Sequence, residues 1–242
     1  DVEDVAAELD ASGFKWLAYF KPFLAEDTDA WTQAESLAIR DQGGDVYWMR
    51  GTDLNQTTVL DPTSPDAEAW AQDRMFDALE LGFAGWMQDF GEWVPPDAVF
   101  TGLDPVADHN AHPSAWHALA ADVVAGQDAL IFTRSGWIGS GALAAVAWGG
   151  DQRTSFDADD GYPTVVAMGL GTSLAGSPFF GHDIGGYSSV GNDPSTRELW
   201  FRWCALGAFS PIMRTHHGRK TEENWQFDRD AETLAHFVRY GR

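Results

Sequence analysis

Apolar residues recur along this chain in two rhythms, a three-to-four residue spacing and short unbroken runs, and the two take turns. Val2, Val5, Ala6 and Leu9 share one helical face closed by Ser12-Gly13, and the run at 14–20 follows as a strand stopped by Pro22. Ser64-Pro65-Asp66 is a helix start, with a capping serine, a proline in the first turn and an acid near the positive end, for a helix reaching about Glu80. Leu81, Phe83, Trp86 and Met87 then make a short buried strand bounded by glycines. Residues 113–124 read as a helix, 129–133 as a strand ending at Arg134, and 144–148 as another apolar strand. A helix over 159–170 leads to Pro178-Phe179-Phe180 and on to Asp183. Ser195 and Glu198 have the spacing of a capping box for a helix through Leu206. The strand at 209–213 ends at Arg214, and 232–240 is the last helix.

Strand and helix alternate in six rounds, with strands ending near Phe20, Gln88, Thr133, Trp148, Phe180 and Met213. That alternation defines the α/β class and predicts a (β/α)8 TIM-type barrel. Eight rounds close such a barrel, so the first one or two strand-helix units are expected upstream, and residues 1–242 read as one partial catalytic domain. A smaller open sheet, finished as it stands, is the alternative architecture.

Two of these strands end in the same way. The apolar run through Trp86 and Met87 meets Asp89, followed by Phe90-Gly91-Glu92; the run through Trp148 meets Gly149-Gly150-Asp151. A carboxylate is costly at the end of a buried strand, and in strand-helix repeats that end is where active sites are built. Each acid alone could equally be a turn or capping residue. Together they suit glycoside hydrolysis, in which one carboxylate is nucleophile or base and the other protonates the leaving oxygen. Arg134, Asp183, and Arg214 with His216 occupy the other strand ends, and Trp86, Trp93, Trp137 and Trp148 lie near enough to stack on a sugar, or simply to fill core.

Composition removes some partners. Fifteen basic against 37 acidic residues leave a net charge of −22, with the acids dispersed along the chain, which argues against nucleic acid and anionic membranes. No run is long and apolar enough to cross a membrane, and no signal peptide opens the chain, so the expected compartment is the cytoplasm. Cys204, the one cysteine, sits among Trp200, Phe201, Trp203 and Leu206 and reads as a small core residue.

Five ordered segments resemble glycoside hydrolase family 31: Gly85-Trp86-Met87-Gln88-Asp89-Phe90-Gly91-Glu92, Thr133-Arg134-Ser135-Gly136, Trp148-Gly149-Gly150-Asp151, Asp183-Ile184-Gly185-Gly186-Tyr187 and Met213-Arg214-Thr215-His216. The resemblance covers nearly the whole chain. It implies a retaining α-glycosidase on a (β/α)8 barrel, with Asp89 as nucleophile and Asp151 as general acid/base. It also implies that Arg134 and His216 bind the sugar of the first subsite, with Asp183 and Trp148 in the same pocket. Asp-Phe-Gly-Glu, Tyr187 and Asn224-Trp225-Gln226-Phe227-Asp228 look most like the subgroup that releases sulfoquinovose, a glucose sulfonated at C6. There Tyr187 matches a tyrosine that helps hold the sulfonate, while the arginine and tryptophan completing that site lie upstream of this chain's residues. Tyr187 is equally readable as a rim aromatic.

The implied reaction is double displacement, which asks for carboxyl groups ~5–5.5 Å apart. It needs a small α-glycoside and no cofactor or metal. No Gly-x-Ser-x-Gly elbow is present, Gly169-Leu170-Gly171 lacks a third glycine, Asp157, Asp159 and Asp160 miss the EF-hand spacing, and His109, His112 and His117 lack partner ligands for zinc. An α-glucosidase or α-xylosidase of the same family is the nearer alternative, and a non-catalytic carbohydrate-binding fragment the farther one.

Overall fold

The computed structural model describes residues 2–49, 56–189, 191 and 193–241. They divide into two compact units, residues 1–145 and 146–242.

In the first unit, strands β1 (Ala18–Phe20), β4 (Gly85–Gln88) and β5 (Leu130–Thr133) run parallel, with Phe20 opposite Gln88 and Gln88 opposite Thr133. Between β1 and β4 the chain makes an excursion that the apolar rhythm does not announce. Strands β2 (Phe23–Ala25) and β3 (Thr57–Val59) pair antiparallel beside a short helix α2 (Asp29–Ala34). Helices α3 (Pro65–Glu80) and α4 (His112–Val124) form where the serine-proline start and the 113–124 pattern predict them, and α1 (Val2–Ala11) opens the unit. Trp86 of β4, Ile131 of β5, Met75 of α3, and Trp116 and Leu119 of α4 make one buried cluster. This is a parallel sheet covered by helices whose apolar faces follow the 3.6-residue period. Gly85 must be glycine: its φ is +124°, and a Cβ there would lie 1.8 Å from the Leu130 carbonyl oxygen.

The second unit repeats the scheme. Strands β6 (Val146–Trp148), β7 (Phe179–Ile184) and β8 (Ile212–Thr215) are parallel, and helices α5 (Tyr162–Leu174), α6 (Arg197–Gly207) and α7 (Ala231–Tyr240) accompany them. Trp200, Trp203, Leu199 and Cys204 of α6 pack with Phe180 and Ile184 of β7 and Val165 of α5. Cys204 is a core residue as expected, and burial pushes its thiol up to about 11.

Two local expectations are corrected. The cap of α6 is Thr196, whose hydroxyl accepts from the Leu199 N–H, and not Ser195, whose hydroxyl instead accepts from the Trp225 N–H at 2.8 Å. Glu198 turns outward to Arg202. Strand β7 runs through Asp183 to Ile184, so Asp183 lies inside a strand opposite Arg214 of β8.

His182 of β7 is buried between two fixed partners. The Trp203 indole N–H donates to its Nδ1 at 2.9 Å, which leaves the ring proton on Nε2, 2.8 Å from the Ser210 hydroxyl. Burial holds its pKa down at about 4. A histidine depressed on folding stabilises the fold above its unfolded value and loses that stability as pH falls toward the folded one. Acidification from about 6.5 to 4 should therefore cost ~1.4 kcal/mol per pH unit from this residue. Asp183, raised to about 6, works in the opposite sense between about 4 and 6, because its neutral form is favoured on folding. His117, in the first unit, is also held near 4 by burial, so two histidines outweigh one aspartate. Chemical denaturation should show stability falling from pH 6.5 to 4.5, and falling less steeply in His182→Gln. An equal slope in both proteins would count against His182 as a source.

Candidate active site

Asp89 follows β4 directly, and parallel pairing places it beside the ends of β1 and β5. Its backbone is pinned on both sides: its N–H donates to the Phe20 carbonyl at 2.9 Å, and its carbonyl accepts from the Trp116 indole at 2.9 Å. Beneath it Gln88, fully buried, accepts from the Trp86 indole and donates to the Trp116 carbonyl, both at 2.9 Å. The carboxylate, almost fully buried, is held at both oxygens. Oδ1 accepts from the Phe90 N–H at 2.8 Å and lies 3.5 Å from the Arg134 Nε, while Oδ2 accepts from the Tyr19 hydroxyl at 2.6 Å.

The turn that produces this arrangement is strained. Phe90 has φ +64°, a left-handed conformation costly for a residue with a bulky ring on its Cβ. Four contacts hold it there. The Ser135 hydroxyl donates to the Phe90 carbonyl at 2.6 Å, the Arg134 guanidinium stacks 4.1 Å over its ring, and Phe23 and Trp93 pack against the ring at 4.6 and 5.2 Å. Arg134 is itself oriented by a short ion pair from Nη2 to Glu92. Glu92, to which the sequence assigns no chemistry, thus fixes the cation beside Asp89.

Asp151 follows β6 through Gly149 and Gly150, the latter at φ +88°. It is exposed, and its neighbour Gln152 anchors the loop, with a buried side chain donating to the Gly149 carbonyl and a backbone carbonyl accepting from the N–H groups of Tyr187 and Ser188. Asp183 is 0% exposed, 3.2 Å from the Arg214 Nη1, and Arg214 lies 4.9 Å over the Trp148 ring. Burial raises Asp183 to about 6; Arg214 pulls it down, the charge of Asp151 pushes it up, and the Trp148 indole N–H lowers it without reaching hydrogen-bond geometry. His216 accepts from the Gly218 N–H at its Nδ1, 2.9 Å, which leaves an Nε2–H donor. Burial, then Arg214 and His217, lowers its pKa, favouring the neutral ring. Tyr187 stands edge-on to it, ring centres 4.9 Å apart.

In the first unit the structure therefore joins Asp89 to Arg134. In the second it joins Asp183 to Trp148 and Arg214, and Tyr187 to His216. Trp148 is buried with Arg214 on its face, and Asp183 is sealed from solvent, so neither side chain lies on the surface. Tyr19 and Ser135 carry no local signal of their roles. Only the register that sets Tyr19 opposite Met87 brings the phenol to Asp89.

The chain belongs to glycoside hydrolase family 31: residues 1–240 match the family's TIM-barrel domain. Among its relatives, the sulfoquinovosidase of Escherichia coli (strain K12) is 38% identical over 94% of this chain and 34% of its own length. That of Agrobacterium fabrum is 36% identical over 96% and 36%. The chain thus spans about a third of the length of these relatives. A solved sulfoquinovosidase of the family from E. rectale, in complex with an aza-sugar inhibitor, superposes with a TM-score of 0.94 at 30% identity, over 99% of this chain and 37% of that one.

Proposed function

We propose that the protein is a retaining α-glycoside hydrolase that releases sulfoquinovose from α-sulfoquinovosides, working on a (β/α)8 barrel. The observation that carries the chemistry is Asp89, held at both carboxylate oxygens at the end of β4 with the Arg134 cation beside it. Such a carboxylate is preorganised to attack. Two sulfoquinovosidases above 35% identity support the sugar, together with Tyr187 in Asp183-Ile184-Gly185-Gly186-Tyr187.

In this reading Asp89 attacks the anomeric carbon while Asp151 gives its proton to the departing glycosidic oxygen. The C1–O bond to the aglycone breaks with its electron pair on that oxygen, and a β-linked glycosyl ester of Asp89 forms. Asp151 then takes a proton from water, the water oxygen bonds to C1, and the ester bond breaks back to the Asp89 carboxylate, giving net retention. The exposure of Asp151 suits a group that must meet both the leaving group and water. His216 offers its Nε2–H to a sugar hydroxyl, and Tyr187 beside it offers a phenol to the C6 substituent. Asp183 and Trp148 serve by fixing Arg214.

The test is hydrolysis of para-nitrophenyl α-sulfoquinovoside and para-nitrophenyl α-glucoside by the full-length protein, with the released sugar followed by proton NMR. Turnover of the sulfonated substrate with the α anomer appearing first is expected. Preference for the glucoside would keep the chemistry and move the protein among the family's glucosidases, and first release of the β anomer would overturn retention.

A further inference from the structure

Among the described residues, Tyr19 is the one neutral side chain that donates a hydrogen bond to the Asp89 carboxylate. Its hydroxyl donates to Oδ2 at 2.6 Å, within the range of a charge-assisted O–H···O⁻ bond, and its side chain is about half exposed on strand β1. The two other donors to the carboxylate, the Phe90 N–H and Arg134 Nε, both address Oδ1. Tyr19 alone therefore serves the second oxygen among the described residues. Carboxylate charge disappears when Asp89 attacks the sugar and reappears when the ester breaks. A donor on Oδ2 thus opposes the first step and favours the second, whichever oxygen forms the bond.

We propose that Tyr19 is a catalytic residue of the second half-reaction, stabilising the Asp89 carboxylate as it leaves the glycosyl-enzyme. This rests on Asp89 being the nucleophile. During that step a water oxygen bonds to C1, its proton passes to Asp151, and the C1–O bond to Asp89 breaks with its electron pair on the carboxylate. The Tyr19 proton stays on the phenol and is donated as a hydrogen bond throughout, so no atom is exchanged with Tyr19. The phenol adds no charge that would have to be neutralised in the free enzyme.

The test is Tyr19→Phe in the full-length protein, on whichever of the two para-nitrophenyl glycosides the wild type turns over. Nitrophenolate leaves easily, so the first step stays fast and the second limits kcat. Losing a hydrogen bond to a charged group should lower kcat about 10- to 100-fold. KM should fall in parallel, leaving kcat/KM within about threefold, and a burst of nitrophenolate should precede the slow phase. Intact-mass analysis in the steady state should find most of the variant carrying one sugar on the peptide containing Asp89. Equal losses in kcat and kcat/KM with no accumulated adduct would overturn the role, as would an unchanged kcat. Trapping wild-type enzyme on a residue other than Asp89 would instead overturn the nucleophile assignment, and with it this proposal.

Discussion

Asp89→Asn in the full-length protein should abolish turnover, by on the order of 10⁴-fold or more, while substrate binding survives. The amide keeps the shape of the carboxylate. Its oxygen can take the Oδ1 place facing the Phe90 N–H and Arg134, and its NH₂ can turn to the Tyr19 oxygen, which accepts. The fold should therefore persist and only the nucleophile be lost. Asp151→Ala should behave differently. Removing a general acid/base costs ~10²–10⁴-fold where the leaving group needs a proton, and much less in the first step when it is nitrophenolate. Azide needs no base to attack, so its addition should speed the Asp151→Ala enzyme and yield a glycosyl azide of retained configuration, with no effect on Asp89→Asn. An Asp89→Asn enzyme within tenfold of wild type, with a comparable KM, would end the assignment.

Much of this was legible in the chain because it is local. A buried run, a glycine and an acid recur at Asp89 and Asp151, and the helices over Pro65–Glu80 and His112–Val124 carry their start signals and apolar period within themselves. Features set by pairing between distant segments were not legible. Tyr19 reaches Asp89 because β1 lies beside β4 in one particular register, and a shift by one residue would turn the phenol to the other face. Asp183 reads as a strand-end acid until its register with Arg214 shows it enclosed within β7. Ser195 has the spacing of a cap, yet Trp225, thirty residues later, claims its hydroxyl and leaves Thr196 to cap α6. The excursion through β2 and β3 was invisible for a different reason. Strands of three residues are too short to establish a period, and Pro22 reads as a stop when it is only a corner.

Arg214→Met should cost about 3–5 kcal/mol of stability in the alkaline range, where it leaves the fully buried Asp183 carboxylate charged without its cation. The loss should depend on pH in a direction the structure fixes. Burial already raises Asp183 to about 6 with Arg214 pulling the other way, so removing the arginine pushes the acid higher still. A carboxyl raised on folding contributes stability that is complete below its unfolded value and is lost as pH climbs to the folded one. Wild-type Asp183, raised to about 6, loses stability in parallel up to that pH, so Arg214→Met should resemble wild type most closely below about pH 6 and diverge from it by up to ~1.4 kcal/mol per unit above that. The pair Asp183→Asn with Arg214→Met removes both charges and should regain most of the loss, since the penalty belongs to an uncompensated charge and not to a missing contact. Denaturant titrations of the two single variants and the double variant at pH 5 and pH 8 measure this directly. If Arg214→Met were equally destabilised at both, the cost would lie in lost packing over Trp148, and Asp183 would not be the group responsible.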